Sequence, residues 1–189
     1  METAINERVN RWLEGTYDEE TQTAIRRMQA NSPEELSDAF YKDLEFGTGG
    51  LRGIMGVGTN RMNKYTVAMA TQGLANYLKQ QFSTEVQKVV IAYDSRNNSA
   101  YFSEITADVL SANGVKVYVF DTITPTPELS FAIRHLHCHS GIVITASHNP
   151  KEYNGYKVYW QDGGQLVAPH DHRIITEVKK ITRFEEVRF

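Results

Sequence analysis

Three short runs rich in β-branched residues recur from near the middle of the chain onward, each pair separated by a helix-length segment. That alternation restricts the fold more than any other feature. The runs are KVVIAY at Lys88–Tyr93, VKVYVF at Val115–Phe120 and GIVIT at Gly141–Thr145. Between the first two, Ala100–Ala112 has the spacing of an amphipathic helix and stops at Asn113-Gly114, a pair suited to a left-handed helix end. Between the second and third, Pro127 to about Leu136 predicts another helix. Strand, helix, strand, helix, strand implies βαβ units and a mainly parallel sheet covered by helices. A fourth run, Tyr156–Trp160, follows through a loop too short for a crossover helix. It is therefore expected at a sheet edge, where antiparallel pairing is open to it. A turn at Asp162-Gly163-Gly164 closes it, and a last helix starts near Asp171.

The N-terminal part differs. Ile5, Val9, Trp12 and Leu13 fall on one helical face. Ser32-Pro33-Glu34-Glu35 predicts a helix start, with Ser32 as N-cap, Pro33 at the first helical position and Glu35 placed for a capping box, running to about Leu44. Six glycines between Gly47 and Gly58 are too many for a helix or strand interior, and a helix resumes from about Lys64 to Phe82. The expected fold class is α/β: a three-layer α/β/α sandwich with a mainly parallel, mixed sheet of about four strands. Residues 1–45 form a helical extension packed on a domain spanning 46–189.

A net charge of −3 argues against nucleic acid or an anionic membrane as the main partner, while leaving room for a local anion site. Cys138 is the single cysteine, so no internal disulfide can form. No stretch approaches the roughly 20 apolar residues of a spanning helix, and METAINERVNRWLEG lacks a signal-peptide core. The expected location is the cytoplasm.

Ligands of such sheets gather outside the carboxyl ends of the strands. Two runs end there in reactive side chains: KVVIAY leads into Asp94-Ser95-Arg96, and GIVIT into Ala146-Ser147-His148-Asn149-Pro150. Most loop serines only hydrogen-bond a turn backbone. A hydrolase nucleophile needs G-x-S-x-G, where this chain has Thr-Ala-Ser-His-Asn. A serine carrying a phosphoryl group bears about −1.5 to −2 charges and needs cationic or hydrogen-bonding neighbours, which His148, Asn149 and Lys157 could supply.

Thr145-Ala146-Ser147-His148-Asn149-Pro150 with Asn154-Gly155-Tyr156-Lys157 resembles the phosphoserine loop of the α-D-phosphohexomutases, which include phosphoglucomutases and phosphomannomutases. Phe46-Gly47-Thr48-Gly49-Gly50-Leu51-Arg52-Gly53 is similar to the family's N-terminal loop, and Tyr93-Asp94-Ser95-Arg96 to its second-strand signature. The wording KEYNGYKVYW and the long helical N-terminus look closest to the branch holding phosphoglucomutases and phosphopentomutases. The resemblance implies that Ser147 passes a phosphoryl group to a phosphorylated hexose or pentose through a bisphosphate intermediate, with the sugar bisphosphate as activator. It places Arg52 in the active-site cleft, and the phosphoryl group of Ser147 on Mg²⁺. On chemical grounds His148 could steady the serine oxygen, and Lys157 could reach the transferring group or act as general acid/base. Asn149 joins Arg52 and Lys157 among the phosphate-binding candidates. Arg96 either contacts phosphate or only braces the loop against Asp94. A non-catalytic phosphosugar- or anion-binding module is the alternative.

The family's D-G-D-x-D metal loop does not occur in this sequence. The remaining metal ligands are therefore expected on further mutase domains, absent here, and the chain alone is expected to be an incomplete enzyme. Two motifs mislead. Gly47-Thr48-Gly49-Gly50 follows a helix-like segment rather than a strand, against a dinucleotide loop. His135-Leu136-His137-Cys138-His139 has no standard zinc spacing and is expected to be structural.

Overall fold

The computed structural model describes residues 2–189. Its elements run α1 (Glu2–Glu14), α2 (Glu19–Asn31), α3 (Pro33–Phe40), β1 (Gly50–Ile54), α4 (Lys64–Gln81), β2 (Lys88–Tyr93), α5 (Ser99–Ala112), β3 (Lys116–Val119), α6 (Thr126–His135), β4 (Ser140–Ile144), β5 (Tyr153–Trp160) and α7 (His170–Lys180). The fold is α/β, with a mixed sheet in the order β1-β5-β4-β2-β3. β2 runs parallel to both β3 and β4, while β5 is antiparallel to β4 and to β1.

Two expectations need correction. The sheet has five strands rather than about four, and β5 is not at an edge, because β1 lies outside it. β1 reads as loop in the sequence because two residues of GLRGI are glycine. Pairing with β5 overrides that composition. Gly50 sits at φ 124°, and a Cβ there would fall 1.8 Å from the Tyr156 carbonyl oxygen. Only glycine lets the two backbones approach so closely.

The N-terminal helices also depart in detail. Ser32 makes no side-chain cap; its N–H bonds Met28 O at the end of α2, so the capping box with Glu35 does not form. α3 stops at Phe40 instead of near Leu44 because the backbone is diverted: Leu44 N–H bonds Thr59 O at 2.7 Å and Asn60 N–H takes Ala39 O at 2.9 Å.

Pleat alternation divides the core. Val89, Ile91, Ile142, Ile144, Tyr156 and Val158 pack with Val67, Leu74 and Leu78 of α4, Phe102 and Leu110 of α5, and Ile174 of α7. Val90, Ala92 and Val143 meet Leu129, Ala132 and Ile133 of α6 on the opposite face. α6 packs on β2 and β4. On the part of that face formed by β5 and β1, Tyr159 packs against the α6 cluster, while Arg52 and Lys157 lie beyond it. α4 and α7 meet at Gly73, where a Cβ would lie 2.6 Å from Val178 Cα.

Helices α1–α3 build their own cluster from Ile5, Val9, Trp12, Tyr17, Ile25 and Phe40, and it closes on Tyr65 at the start of α4. Asp18 joins the two bodies. It caps α2 by accepting from Thr21 N–H at 2.7 Å, and it accepts from Tyr65 Oη at 2.7 Å and from the Lys64 ammonium. Burial pushes its carboxyl pKa up, but the hydrogen bonds from Lys64, Tyr65 and Thr21 outweigh burial and hold it well below the usual range.

Two outcomes follow. Gly73→Ala adds a methyl against the α7 backbone, an overpacking of about 1–3 kcal/mol that exceeds the gain of about 1 kcal/mol in helix propensity. Its urea midpoint should fall, and an unchanged midpoint contradicts the close packing. Asp18→Ala should cost about 1 kcal/mol at neutral pH, the usual worth of such a cap. Because the native pKa is depressed, the deficit relative to wild type should shrink as pH falls below about 4, the ordinary aspartate value. A deficit independent of pH in thermal melts sinks this role for the carboxylate.

Candidate active site

The chain leaves β2 through α5 to β3 on one side, then returns through α6 to β4 on the other side of β2. The carboxyl ends of β2 and β4 therefore flank a reversal of strand order, where crevices form in open α/β sheets. Pairing continues just past both ends: Asp94 N–H bonds Ile144 O at 3.1 Å, and Thr145 N–H bonds Gly155 O at 2.9 Å. Since Arg52 pairs with Gly155, the residues Arg52, Gly155, Thr145 and Asp94 form one row across the sheet. The next row on the same face holds Gly50, Lys157, Val143 and Ala92. Gly155 is required in its row, since a Cβ would meet Thr145 O at 2.5 Å.

Beyond this row the chain turns sharply. Thr145 Oγ1 accepts the N–H of Ser147 at 3.0 Å, and Asn149 N–H returns to Ala146 O at 3.1 Å. Ser147 adopts φ 59°, the left-handed region, and its side chain is at the surface. That conformation costs a non-glycine residue about 1–2 kcal/mol and persists only where surrounding contacts impose it.

Arg96 supplies those contacts. Its Nη2 donates to Ser147 O at 2.8 Å and Asn149 O at 2.7 Å. Its Nη1 donates to Pro150 O at 2.8 Å and Tyr153 O at 3.1 Å. Nε faces Asp94 Oδ2 at 3.4 Å, and the Arg96 N–H donates to Asp94 Oδ1 at 3.0 Å. Arg52 Nη1 donates to Asn149 Oδ1 at 3.0 Å, bringing β1 against the serine loop. His148 stands exposed beside Ser147. Lys157 is half-buried, and its pKa is depressed, first by burial and then by the Arg52 cation, with Asp94 opposing.

The structure thus gathers Arg52, Arg96, Ser147, His148, Asn149 and Lys157 at one end of the sheet, about the carboxyl ends of β2 and β4. Direct contact joins Arg52 to Asn149 and Arg96 to the loop backbone. Sequence reasoning passed over Ser99, whose hydroxyl donates to Asp94 Oδ1 at 2.7 Å, and gave Asn154 no role. Only the family wording around Asn154 drew notice to it.

Among the described residues no group of three His, Cys, Asp or Glu side chains is placed to hold a metal ion. Residues 135–139 are dispersed. His139 Nδ1 accepts Lys88 N–H at 3.0 Å while its Nε2 faces Glu85 at 3.3 Å, and His135 stacks on Phe131. Burial pushes the Cys138 thiol up to about 11. No helix among the described residues is long and apolar enough to cross a membrane.

Known proteins are similar to this chain in sequence and fold. Human phosphopentomutase is 41% identical over 184 residues, 93% of this chain but 30% of its own length. A phosphoglucomutase of Staphylococcus epidermidis (strain ATCC 12228 / FDA PCI 1200) is 45% identical over 148 residues, 78% of this chain and 27% of its own. The open form of parafusin, a phosphoglucomutase from Paramecium, superposes with a TM-score of 0.64 at 25% identity over 75% of this chain and 26% of that one. A Thermus thermophilus protein of phosphomannomutase type gives 0.68 at 29% identity, over 76% and 31%. The chain thus spans under a third of the length of these relatives. Residues 43–185 match the model of the phosphoglucomutase/phosphomannomutase α/β/α domain I, and the chain belongs to that family.

Proposed function

We propose that this chain is the phosphoserine-bearing domain of a phosphosugar mutase, moving phosphate between C1 and C6 of a hexose or C1 and C5 of a pentose. The observation that carries the proposal is Ser147 itself: a non-glycine residue at φ 59°, exposed at the strand reversal, with its carbonyl and that of Asn149 held by one guanidinium. Strain so tightly imposed on a surface serine favours a side chain that must be aimed, not a turn filler. The names of the relatives, phosphopentomutase and phosphoglucomutase, support the substrate class.

In this proposal the phosphoryl group sits on Ser147 Oγ. A sugar hydroxyl attacks phosphorus; the new P–O bond forms as the bond to Oγ breaks, giving a sugar bisphosphate. The hydroxyl proton goes to Lys157, which returns it to the departing serine oxygen, with His148 steadying that oxygen. Transfer in the other sense regenerates the phosphoserine with the second phosphoryl group. Lys157 suits proton transfer because burial and Arg52 favour its neutral form. Arg52, exposed and tethered through Asn149, offers its remaining N–H groups to phosphate oxygens. Of the two roles weighed for Arg96, the geometry favours the brace, because its Nη groups are already engaged with four carbonyls.

The described side chains do not by themselves fit Mg²⁺. An ion would meet this chain through the phosphoryl oxygens on Ser147, where it would neutralise charge. For the same reason, and because the chain spans 30% of its relative, we propose that it accepts a phosphoryl group but needs further domains for turnover.

Incubation with glucose 1,6-bisphosphate should add one phosphoryl's mass to the protein, and Ser147→Ala should abolish the addition. Modification of the Ala variant to the same extent rules out Ser147. Separately, Arg52→Ala removes a cation beside Lys157, so the Lys157 titration followed by NMR should move upward. It should stay below an ordinary lysine, because burial persists. A downward or absent shift contradicts the coupling.

A further inference from the structure

The loop that carries Ser147 is tied to a polar chain that reaches into the core, and Asn154 is its inner end. This residue is fully buried. Its Nδ2 donates to Asn97 O at 3.1 Å and to Ser99 Oγ at 3.0 Å, and its Oδ1 accepts the N–H of Gly155 at 2.8 Å. Ser99, also fully buried, donates its hydroxyl hydrogen bond to Asp94 Oδ1 at 2.7 Å. Asp94 then holds Arg96 twice, through the backbone N–H and through Nε. Arg96 in turn grips the loop carbonyls on both sides of His148.

We propose that Asn154, Ser99 and Asp94 act as positioning residues: a directed hydrogen-bond relay that sets the orientation of the Arg96 fork and, through it, the aim of Ser147 Oγ. The relay has a single direction. Asn154 can only donate through Nδ2, so Ser99 must accept there and donate its one proton to Asp94. Asp94, receiving that proton and the Arg96 N–H on the same oxygen, presents its second oxygen to Nε. Each link fixes the next, and buried members left unpaired are costly, so the chain resists partial disorder. It also joins β5, which carries Lys157, to the turn that carries Arg96. The relay therefore sets the serine and the lysine in one frame. None of the three needs to touch substrate.

The inference rests on the phosphoserine assignment above, and its test separates the two. This chain, together with the further mutase domains that the proposed function calls for, is phosphorylated with glucose 1,6-bisphosphate and compared as wild type, Ser99→Ala, Asp94→Ala and Asp94→Asn. The readouts are steady-state kinetics with glucose 1-phosphate, the ³¹P resonance of the protein and the melting temperature. Ser99→Ala should lower kcat about tenfold, the change expected for about 1.4 kcal/mol of lost transition-state stabilisation. KM should hold within about twofold, since Arg52 and Lys157 stay in their strands, and the ³¹P resonance should shift or broaden. Asp94→Asn keeps an acceptor oxygen and should recover much of what Asp94→Ala loses. If Ser99→Ala does not fold, the two Asp94 variants decide the matter by the same readouts. Wild type that never gains a phosphoserine resonance defeats the phosphoserine assignment, and the relay with it. Wild type that turns over normally beside folded variants with unchanged kcat and an unmoved resonance defeats the relay alone. So does a loss of kcat equal for Asp94→Asn and Asp94→Ala that tracks melting temperature, the mark of a merely structural role.

Discussion

One guanidinium holds the candidate site in shape. Four carbonyl oxygens, from Ser147, Asn149, Pro150 and Tyr153, converge on Arg96, whose side chain is 14% exposed. A hydrogen bond to a charged group contributes about 1.5–3 kcal/mol, against about 1–2 kcal/mol for a left-handed non-glycine residue. Even one or two of these bonds offset the strain at Ser147. A lysine could not do the same, because an ammonium lacks the planar fork that spans carbonyls on both sides of a turn.

The rest of the fold delivers that fork and that turn to one place. The reversal of strand order opens the sheet between β2 and β4, and the two strands end in the Arg96 turn and the Ser147 turn respectively. α6 packs on β2 and β4, and its cluster reaches β5 at Tyr159. Arg52 and Lys157 lie beyond that cluster, in two rows of one pleated face. Their proximity has a chemical consequence, since the Arg52 cation adds to burial in depressing the Lys157 pKa. In the proposed function, the cation that meets phosphate also favours Lys157 as a proton acceptor.

Much of this was legible in the sequence, for physical reasons. β2 and β4 are continuous apolar runs because both their faces are buried, and the amphipathic spacing of the helix between β2 and β3 needed no tertiary information. β1 was hidden because its glycines serve close backbone approach to β5, a requirement that exists only once the sheet is formed. The displacement of β5 from the edge follows from the same miss. At the site, Ser147 and its neighbours stood out by residue type. The Arg96 brace could not, because its acceptors are main-chain oxygens 51 to 57 residues away that any sequence would possess. The contact of Ser99 with Asn154 spans 55 residues and joins two ordinary polar side chains, which carry no signal before folding.

The central claim is that Ser147 is a relay point for a phosphoryl group rather than a resting place for one. A pulse-chase tests it most directly: the chain carrying ³²P on Ser147 is mixed with unlabelled hexose or pentose monophosphate, and the label is followed by chromatography. Label leaving the protein as a sugar bisphosphate is the predicted result. Label that stays on the protein, or that leaves as inorganic phosphate at the same rate with and without the sugar, contradicts it.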